Sequence, residues 1–346
     1  MKQFRFVMVM ILAFVFMYTA CSEVAVRHVN RQLTDNNHDD TSPQVDAAQV
    51  VWHGYDGNDW EIFLRDENSI QQLTNNNYDD ENPKIDDGQI VWRGYDGIDY
   101  EIFLWEKGET KQLTNDGQNS TSPQIKDGQI VWRTSDGKDY EIVFWDKGSI
   151  RQLTDDDYDY YEPQIDGGQI VWPGNDGDDW ELFLWDGKLV QQLTDNSYDD
   201  YEPQFDSGQV IWRGHDGNDM EIFLWENGVT TQLTDNDFHD VYPQIDDGKA
   251  VWRGNDGNDW EIFFWDGNVI QQLTDNDLND YEPQIDSGQI VWYASDGQGG
   301  EIYHWFAGTI HQLTDNDHND HRPVINSGII AWQSQDGNDY EIFIRD

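Results

Sequence analysis

The chain contains a single cysteine, Cys21, so no intrachain disulfide can form and stability must come from packing and strand pairing. Basic residues are also scarce. Twenty Lys and Arg stand against 69 Asp and Glu, a formal net charge of −49 and a pI near 4.1, which excludes binding to the phosphates of nucleic acids. No segment has the length and 3.6-residue periodicity of an amphipathic helix, which leaves an all-β chain. Catalytic signatures are missing too: there is no GxSxG, no HExxH and no P-loop. Charge of this density is typical of disordered chains, but 17 Trp, 16 Tyr and 15 Phe supply more large apolar surface than disorder tolerates. The sequence therefore describes a folded, aromatic-rich protein with a very acidic surface.

The one long apolar run, Phe6 to Tyr18, follows Lys2 and Arg5 and has the length of a signal-peptide core, too short for a stable membrane span. It ends in YTAC, which resembles a bacterial lipobox with Cys21 as the lipidated residue, although Tyr18 stands where that pattern has an aliphatic side chain. The expected organisation is a signal peptide at residues 1–20, a short tether at 21–27 and a folded body at 28–346. Export with a lipid anchor at Cys21 to the cell membrane or surface is the expected localisation, with a secreted or periplasmic protein as the alternative. Loss of Lys2 and Arg5 with the leader would leave a net charge near −51.

The body repeats. The tripeptide QLT starts at Gln32, Gln72, Gln112, Gln152, Gln192, Gln232, Gln272 and Gln312, a spacing of 40 with no insertion or deletion. Pro43 to Pro323, Trp52 to Trp332 and Glu61 to Glu341 recur in step with it. Such a period means a solenoid or a propeller. Each unit reads as four short strands: PQID (A), QIVW (B), EIFLW (C) and the QLT strand (D), with an Asp-Gly hairpin signal between B and C. Strands apolar on both faces suit a propeller blade, which is sandwiched between two neighbours. The chain opens on a D strand near residues 27–34 and closes on a C strand at 341–345, so the first strand is expected to complete the last blade. The predicted fold is an eight-bladed β-propeller of four-stranded antiparallel blades.

The string QLTDNDxxDxxPxIDxGxxVWxxxDGNDxEIFxW resembles the TolB-like β-propeller repeat, with its LT, DxxP, DG and EIY-type landmarks, and is similar to the repeats of bacterial and archaeal surface-protein propellers. The resemblance covers residues 28–346 and implies a fold that hosts many unrelated activities.

Trp52 and its seven equivalents are expected to pack between blades. So is the second series, Trp105, Trp145, Trp185, Trp225, Trp265 and Trp305, with a sugar-stacking platform as its alternative. Glu61 and its equivalents open strand C, where a glutamate caps turn amides. Loops between D and A and turns between B and C emerge on one face, which gathers six carboxylates per unit against three opposite, and such a field concentrates cations. Calcium is the candidate, ligated by loop oxygens; the alternative is that these Asp and Asn side chains only bond their own backbone in turns. The expected ligands are Asp235, Asp237 and Asp240, with Asp275, Asp277 and Asp280 and with Asp315, Asp317 and Asp320 in the last two units; the DGND turn at 256–259 supplies more oxygens. His318 and His321, three apart beside Asp317, form a second metal candidate. Unit three replaces the acidic loop with NDGQNS and carries Lys126 where others have Asp, so a gap in the negative face is expected there. Arg93, Arg133, Arg213 and Arg253 are expected to pair with carboxylates.

These readings favour a monomeric, non-enzymatic, envelope-anchored scaffold stabilised by Ca²⁺, binding an envelope or extracellular protein or glycan. The alternative is a carbohydrate-active enzyme, a lyase or hydrolase, or a surface lectin. If Cys21 is lipidated, the full chain partitions into detergent and Cys21→Ser either releases it or leaves it uncleaved. Identical soluble fractions for both forms would sink the lipobox assignment.

Overall fold

A computed structural model describes residues 29–346 apart from 68, 136, 296, 298, 336 and 338. The leader, Cys21 and the tether lie outside the described residues. Among these residues there are thirty-two strands, β1 to β32, and no helix. They form eight four-stranded antiparallel sheets, the eight blades of a propeller. In the first blade, β2 (Asp40–Asp46), β3 (Gln49–Tyr55), β4 (Trp60–Asp66) and β5 (Ser69–Gln72) lie in chain order, and the first strands of neighbouring blades touch one another around the axis. Outer strands are only three or four residues long and largely exposed, which limits the edge offered to another chain.

The ring closes as the strand order requires. β1 (Asn30–Gln32) pairs antiparallel with β32 (Tyr340–Arg345), Asn30 opposite Arg345 and Gln32 opposite Phe343. Every contact that ties a connection to its blade elsewhere is repeated at this joint. Leu33 N donates to Ile342 O at 2.7 Å, Ile342 N to Thr34 Oγ1 at 2.9 Å, and Asn36 N to Glu341 Oε1 at 2.7 Å. In the first blade the same roles fall to Leu73, Thr74, Asn76 and Glu61. That explains the LT pair in the repeat: leucine packs between blades while the threonine hydroxyl accepts the amide of the residue after the strand-C glutamate, isoleucine in seven blades and Leu182 in the fourth, and this bond recurs eight times. It also relocates the cap made by the glutamate. Glu61 serves Asn76, in the connection to the next blade, rather than the adjacent Asp-Gly turn.

Packing between blades is apolar and contiguous. Val51, Ile62 and Leu64 of the first blade meet Ile90 and Trp92 of the second, and Val50 and Trp52 meet Ala331, Ile342 and Ile344 across the closure. All eight strand-B tryptophans are buried, and truncating a core tryptophan costs about 3–5 kcal/mol. Trp105, Trp145, Trp185, Trp225, Trp265 and Trp305 pack against the same inter-blade clusters.

Strand A is longer than the PQID segment suggests. It begins at Asp40, crosses a bulge between Thr41 and Gln44 and reaches Asp46, with Ser42 at φ 56° and Pro43 inside the strand. Proline is admissible because the innermost strand has no ladder partner toward the axis. The bulge breaks the alternation that would have marked the strand in the sequence.

Asp40 uses its place at the strand start to accept Trp52 Nε1 through Oδ1 at 2.7 Å and Asn36 Nδ2 through Oδ2 at 2.6 Å. Gly54 makes room for it, since a β-carbon there would overlap the carboxylate. Unit three has Ser120 and Thr134 at these two places, bonded to each other at 2.9 Å, and Trp132 Nε1 is left without a partner. Unit four has Tyr160 over Gly174, and Trp172 Nε1 is orphaned likewise.

Deleting residues 22–34 removes β1 together with Leu33 and Thr34 and exposes β32. The truncated protein is expected to aggregate or to lose cooperative unfolding, measured by calorimetry against the full chain. An unchanged melting temperature would contradict closure by β1.

Candidate functional site

The connections between D and A and the turns between B and C share one face: Tyr55 N donates to Asp39 O at 2.8 Å, and Trp60 N to Asp79 Oδ1 at 3.1 Å. Asp235, Asp237, Asp275, Asp277, Asp315 and Asp317 stand exposed on it. Asp240, Asp280 and Asp320 do not belong with them. They begin the inner strands and are buried, each accepting the indole N–H of Trp252, Trp292 or Trp332 at 2.8, 2.9 and 3.0 Å, with a second bond from Asn236, Asn276 or Asn316. A carboxylate occupied on both oxygens is a packing element rather than a loop ligand.

Carboxylates do gather closely on this face, in another combination. Asp56, Asp59 and Glu61 bring oxygens within 4.8 Å of one another, as do Asp96, Asp99 and Glu101; Asp176, Asp179 and Glu181; and Asp256, Asp259 and Glu261. In the fifth blade the group is Asp216, Glu221 and Asp235, the only one of the expected ligands that takes part among the described residues. The histidines separate. His318 stays in the loop, its amide donating to Asn316 Oδ1 at 2.6 Å. His321 lies in strand β30 (Asn319–Asn326) between the rings of Tyr293 and Tyr340, and burial lowers its pKa to about 4. Neither enters a close group of acids and imidazoles among the described residues.

The opposite face is stitched blade to blade. Asp46 Oδ2 accepts Asp87 N at 2.8 Å, Asp86 accepts Asp127 at 2.7 Å, and Asp166, Asp206, Asp246 and Asp286 repeat the bond. Lys126 occupies the equivalent aspartate position and therefore sits on this stitched face, not in the acidic one where a gap was expected. Strand A runs away from the acidic face, so its last residue emerges on the other side. Lys126 answers Asp86 at 3.3 Å instead.

Around the axis, just below the acidic face, the repeat varies most. The residue after each strand-B tryptophan, Pro173 apart, contacts the inner segment of the next blade. Arg93 pairs with Glu81 of its own blade at 2.9 Å and donates to Thr121 of the next, and Arg213 pairs with Glu202 of its own blade at 3.0 Å. Arg133 and Arg253 depart from the expected pairing with carboxylates. Arg133 lies over Tyr140 and Tyr161 with its guanidinium carbon 4.4 and 4.2 Å from the ring centres. Arg253 sits among Tyr242, Trp260 and Tyr281 at 4.6, 4.6 and 5.1 Å. The same places hold His53 and Gln333, each accepting the bulge amide of the next blade. Lysine and glutamate face the axis here as well: burial lowers Lys84, which Glu162 draws back up.

The fourth blade breaks the pattern further. Pro173 replaces the arginine and Tyr160 the aspartate, so the inner strand keeps only Gln164–Asp166 and a single bridge from Tyr160 to Gly174. The unzipped end opens a cleft of about 430 Å³ lined by Tyr161, Glu162, Trp180, Tyr201, Glu202 and Arg213. Sequence reasoning passed over this site. Its signal was present: unit four is the one repeat with tyrosine and proline at these two places.

No family model matches the chain, and no curated protein matches it. Solved structures do. The computationally designed protein Ika8 superposes with a TM-score of 0.64 at 18% identity, covering 90% of this chain and 98% of that one. The β-propeller domain of the Trilobed protease from Pyrococcus furiosus gives 0.61 at 15% identity, over 81% and 99%, and is described as having an open velcro topology. A protein provisionally assigned as TolB from Agrobacterium tumefaciens gives 0.42 at 12% identity, over 68% and 93%, too low to carry an argument. Identities in this range show the propeller fold alone.

The buried aspartates set a pH dependence. Burial pushes Asp40 and Asp80 up to about 7, outweighing the indole and amide donors that pull them down. An unfolded aspartate titrates near 4, so between about pH 4 and 7 the folded chain holds more protons and loses stability as pH rises. The urea midpoint in the presence of a chelator is expected to be higher at pH 5 than at pH 8. Surface repulsion has the same sign, but salt screens it, so the slope should persist in 1 M NaCl. A flat profile at high salt would show that these carboxyls keep ordinary pKa values.

Proposed function

We propose that this protein is a non-enzymatic scaffold, anchored at the cell envelope through Cys21, whose propeller binds a glycan or protein ligand over the axial collar at its acidic face. One observation carries this reading: the collar is where the eight repeats differ, while the residues repeated around the ring are occupied in holding it together. Arginines stacked on tyrosines and tryptophans present donors and flat apolar rings side by side, the mixture that sugar rings and interface hot spots take. The cleft in the fourth blade is of ligand size and combines three aromatic rings with Glu162, Glu202 and Arg213.

A second reading rests on that same cleft. Two glutamates beside aromatic platforms are the raw material of a glycoside hydrolase. Glu202 is engaged by Arg213, an arrangement suited to a fixed acceptor more than to a proton donor.

The two readings separate in one set of assays on the full chain. With a glycan panel that includes polygalacturonate, and with envelope extract, binding is expected without any shortened product. Tyr161→Ala with Trp180→Ala should weaken it at least tenfold while the melting temperature holds. Glycan cleavage abolished by Glu162→Gln would replace the scaffold reading with the enzymatic one. Binding unaffected by the double substitution would move the site off the collar.

A further inference from the structure

The acidic groups at the turns between strands B and C stand out from the rest of the face because part of each is buried and unsatisfied. Glu61 is fully buried. Its Oε1 accepts the amide of Asn76, but its Oε2 has no hydrogen-bond partner. Asp59, 6% exposed, has an unpartnered Oδ1 in the same group. Asp56 completes it, held by the amide of Asn58 at 2.9 Å, and the three carboxylates lie within 4.8 Å of each other with no base among them. Glu101, Glu181 and Glu221 repeat the buried, unpartnered oxygen, and Asp219 and Asp259 repeat the aspartate's.

Buried carboxylates crowded together with too few donors for their oxygens are costly: each has lost its water, and each repels the others. Burial, followed by its acidic neighbours, accordingly pushes Asp59 up. Two things relieve such a site, a shared proton or a cation. Repetition of the full motif D-x-x-D-x-E in seven of the eight units, at 56–61, 96–101, 136–141, 176–181, 216–221, 256–261 and 336–341, favours the cation, because one proton could be shared by two carboxyls without a third. An all-oxygen, multiply charged donor set on a turn suits a hard divalent ion and is poor for zinc or copper. The seventh blade carries Gly299 at the second acidic position and supplies an internal contrast.

We infer that the groups Asp56/Asp59/Glu61, Asp96/Asp99/Glu101, Asp176/Asp179/Glu181, Asp216/Glu221/Asp235 and Asp256/Asp259/Glu261, the five found among the described residues, belong to a ring of oxygen-ligated divalent-cation sites, with calcium as the ion. The exposed loop aspartates outside these groups, Asp237, Asp275, Asp277, Asp315 and Asp317, contribute only to the field around them. Each site ties the start of strand C to its own turn, directly beside the glutamate that holds the connection to the next blade. The inference is independent of what the collar binds.

The test uses the full chain stripped with EDTA and loaded with calcium, magnesium or terbium. After gel filtration, about five to seven calcium ions per chain are expected by mass spectrometry of the metal, five for the groups among the described residues and up to seven if every D-x-x-D-x-E unit binds. Terbium luminescence should be sensitised by Trp60, Trp180 and Trp260, which are next in sequence to Asp59, Asp179 and Asp259. Glu61→Gln with Glu181→Gln should remove about two ions, and the amide oxygen can still cap Asn76 and Asn196. If that pair fails to fold, Asp56→Asn with Asp176→Asn makes the same test, because asparagine keeps the turn bonds to Asn58 and Asp178. Asp237→Asn with Asp277→Asn should leave the count unchanged. Retention of no calcium, or a count lowered by the loop pair but not by the turn pairs, would overturn the proposal. Equal retention of magnesium would overturn the choice of calcium.

Discussion

Everything in this ring depends on the connection that leaves the outer edge of one blade and enters the next at the axis. It has to cross the whole radius of the propeller with its amides satisfied, and no regular structure is available to it on the way. The repeat solves this with three acceptors at fixed places: a threonine hydroxyl for the strand-C amide, a buried glutamate for the amide two residues further on, and an aspartate that receives an asparagine and an indole as the chain turns into strand A. Two of the three are carboxylates. The acidity of the sequence is thus partly architectural, since a chain with few bases must use amides, hydroxyls and indoles as the partners of its buried acids.

That solution also explains the rigid forty-residue spacing. A residue inserted in the connection would carry the threonine away from its isoleucine or the aspartate away from its tryptophan, and each loss would leave a buried polar group without a partner. Where the pattern does lapse, it lapses in matched pairs. Ser120 comes with Thr134 and Tyr160 with Gly174, so that the volume near the tryptophan is refilled even when the indole N–H is not.

Symmetry of the frame gives the exceptions their meaning. Position for position, the strand-B side chain after the tryptophan is histidine, arginine, proline, tyrosine or glutamine, and, the proline apart, it meets the next blade at the seam between two inner strands. Freed from the hydrogen-bond duties of the connection, this seam can change chemistry without cost to the ring. It forms a collar of arginine and aromatic groups at the rim of an otherwise acidic face, and in the fourth blade the loss of strand pairing widens it into a cleft.

Much of this was legible in the sequence, because repetition converts short, weak strand signals into eight concordant ones. Blade number, strand order, closure by the first strand and the packing role of the strand-B tryptophans all follow from spacing and alternation alone. What spacing could not reveal is which way a polar side chain turns. Asp237 and Asp240 are three residues apart in one acidic run, yet the first is exposed and the second is buried against Trp252. The difference arises because strand A starts earlier than its proline suggests, hidden by a bulge. Lys126 was misplaced by a face for lack of strand direction, and Arg133 and Arg253 were assigned to carboxylates when their nearest partners are rings from two blades. Local composition determines the strands. Only the ring decides which residues of neighbouring repeats meet, because the seam between blades joins positions far apart along the chain, and its chemistry belongs to neither repeat alone.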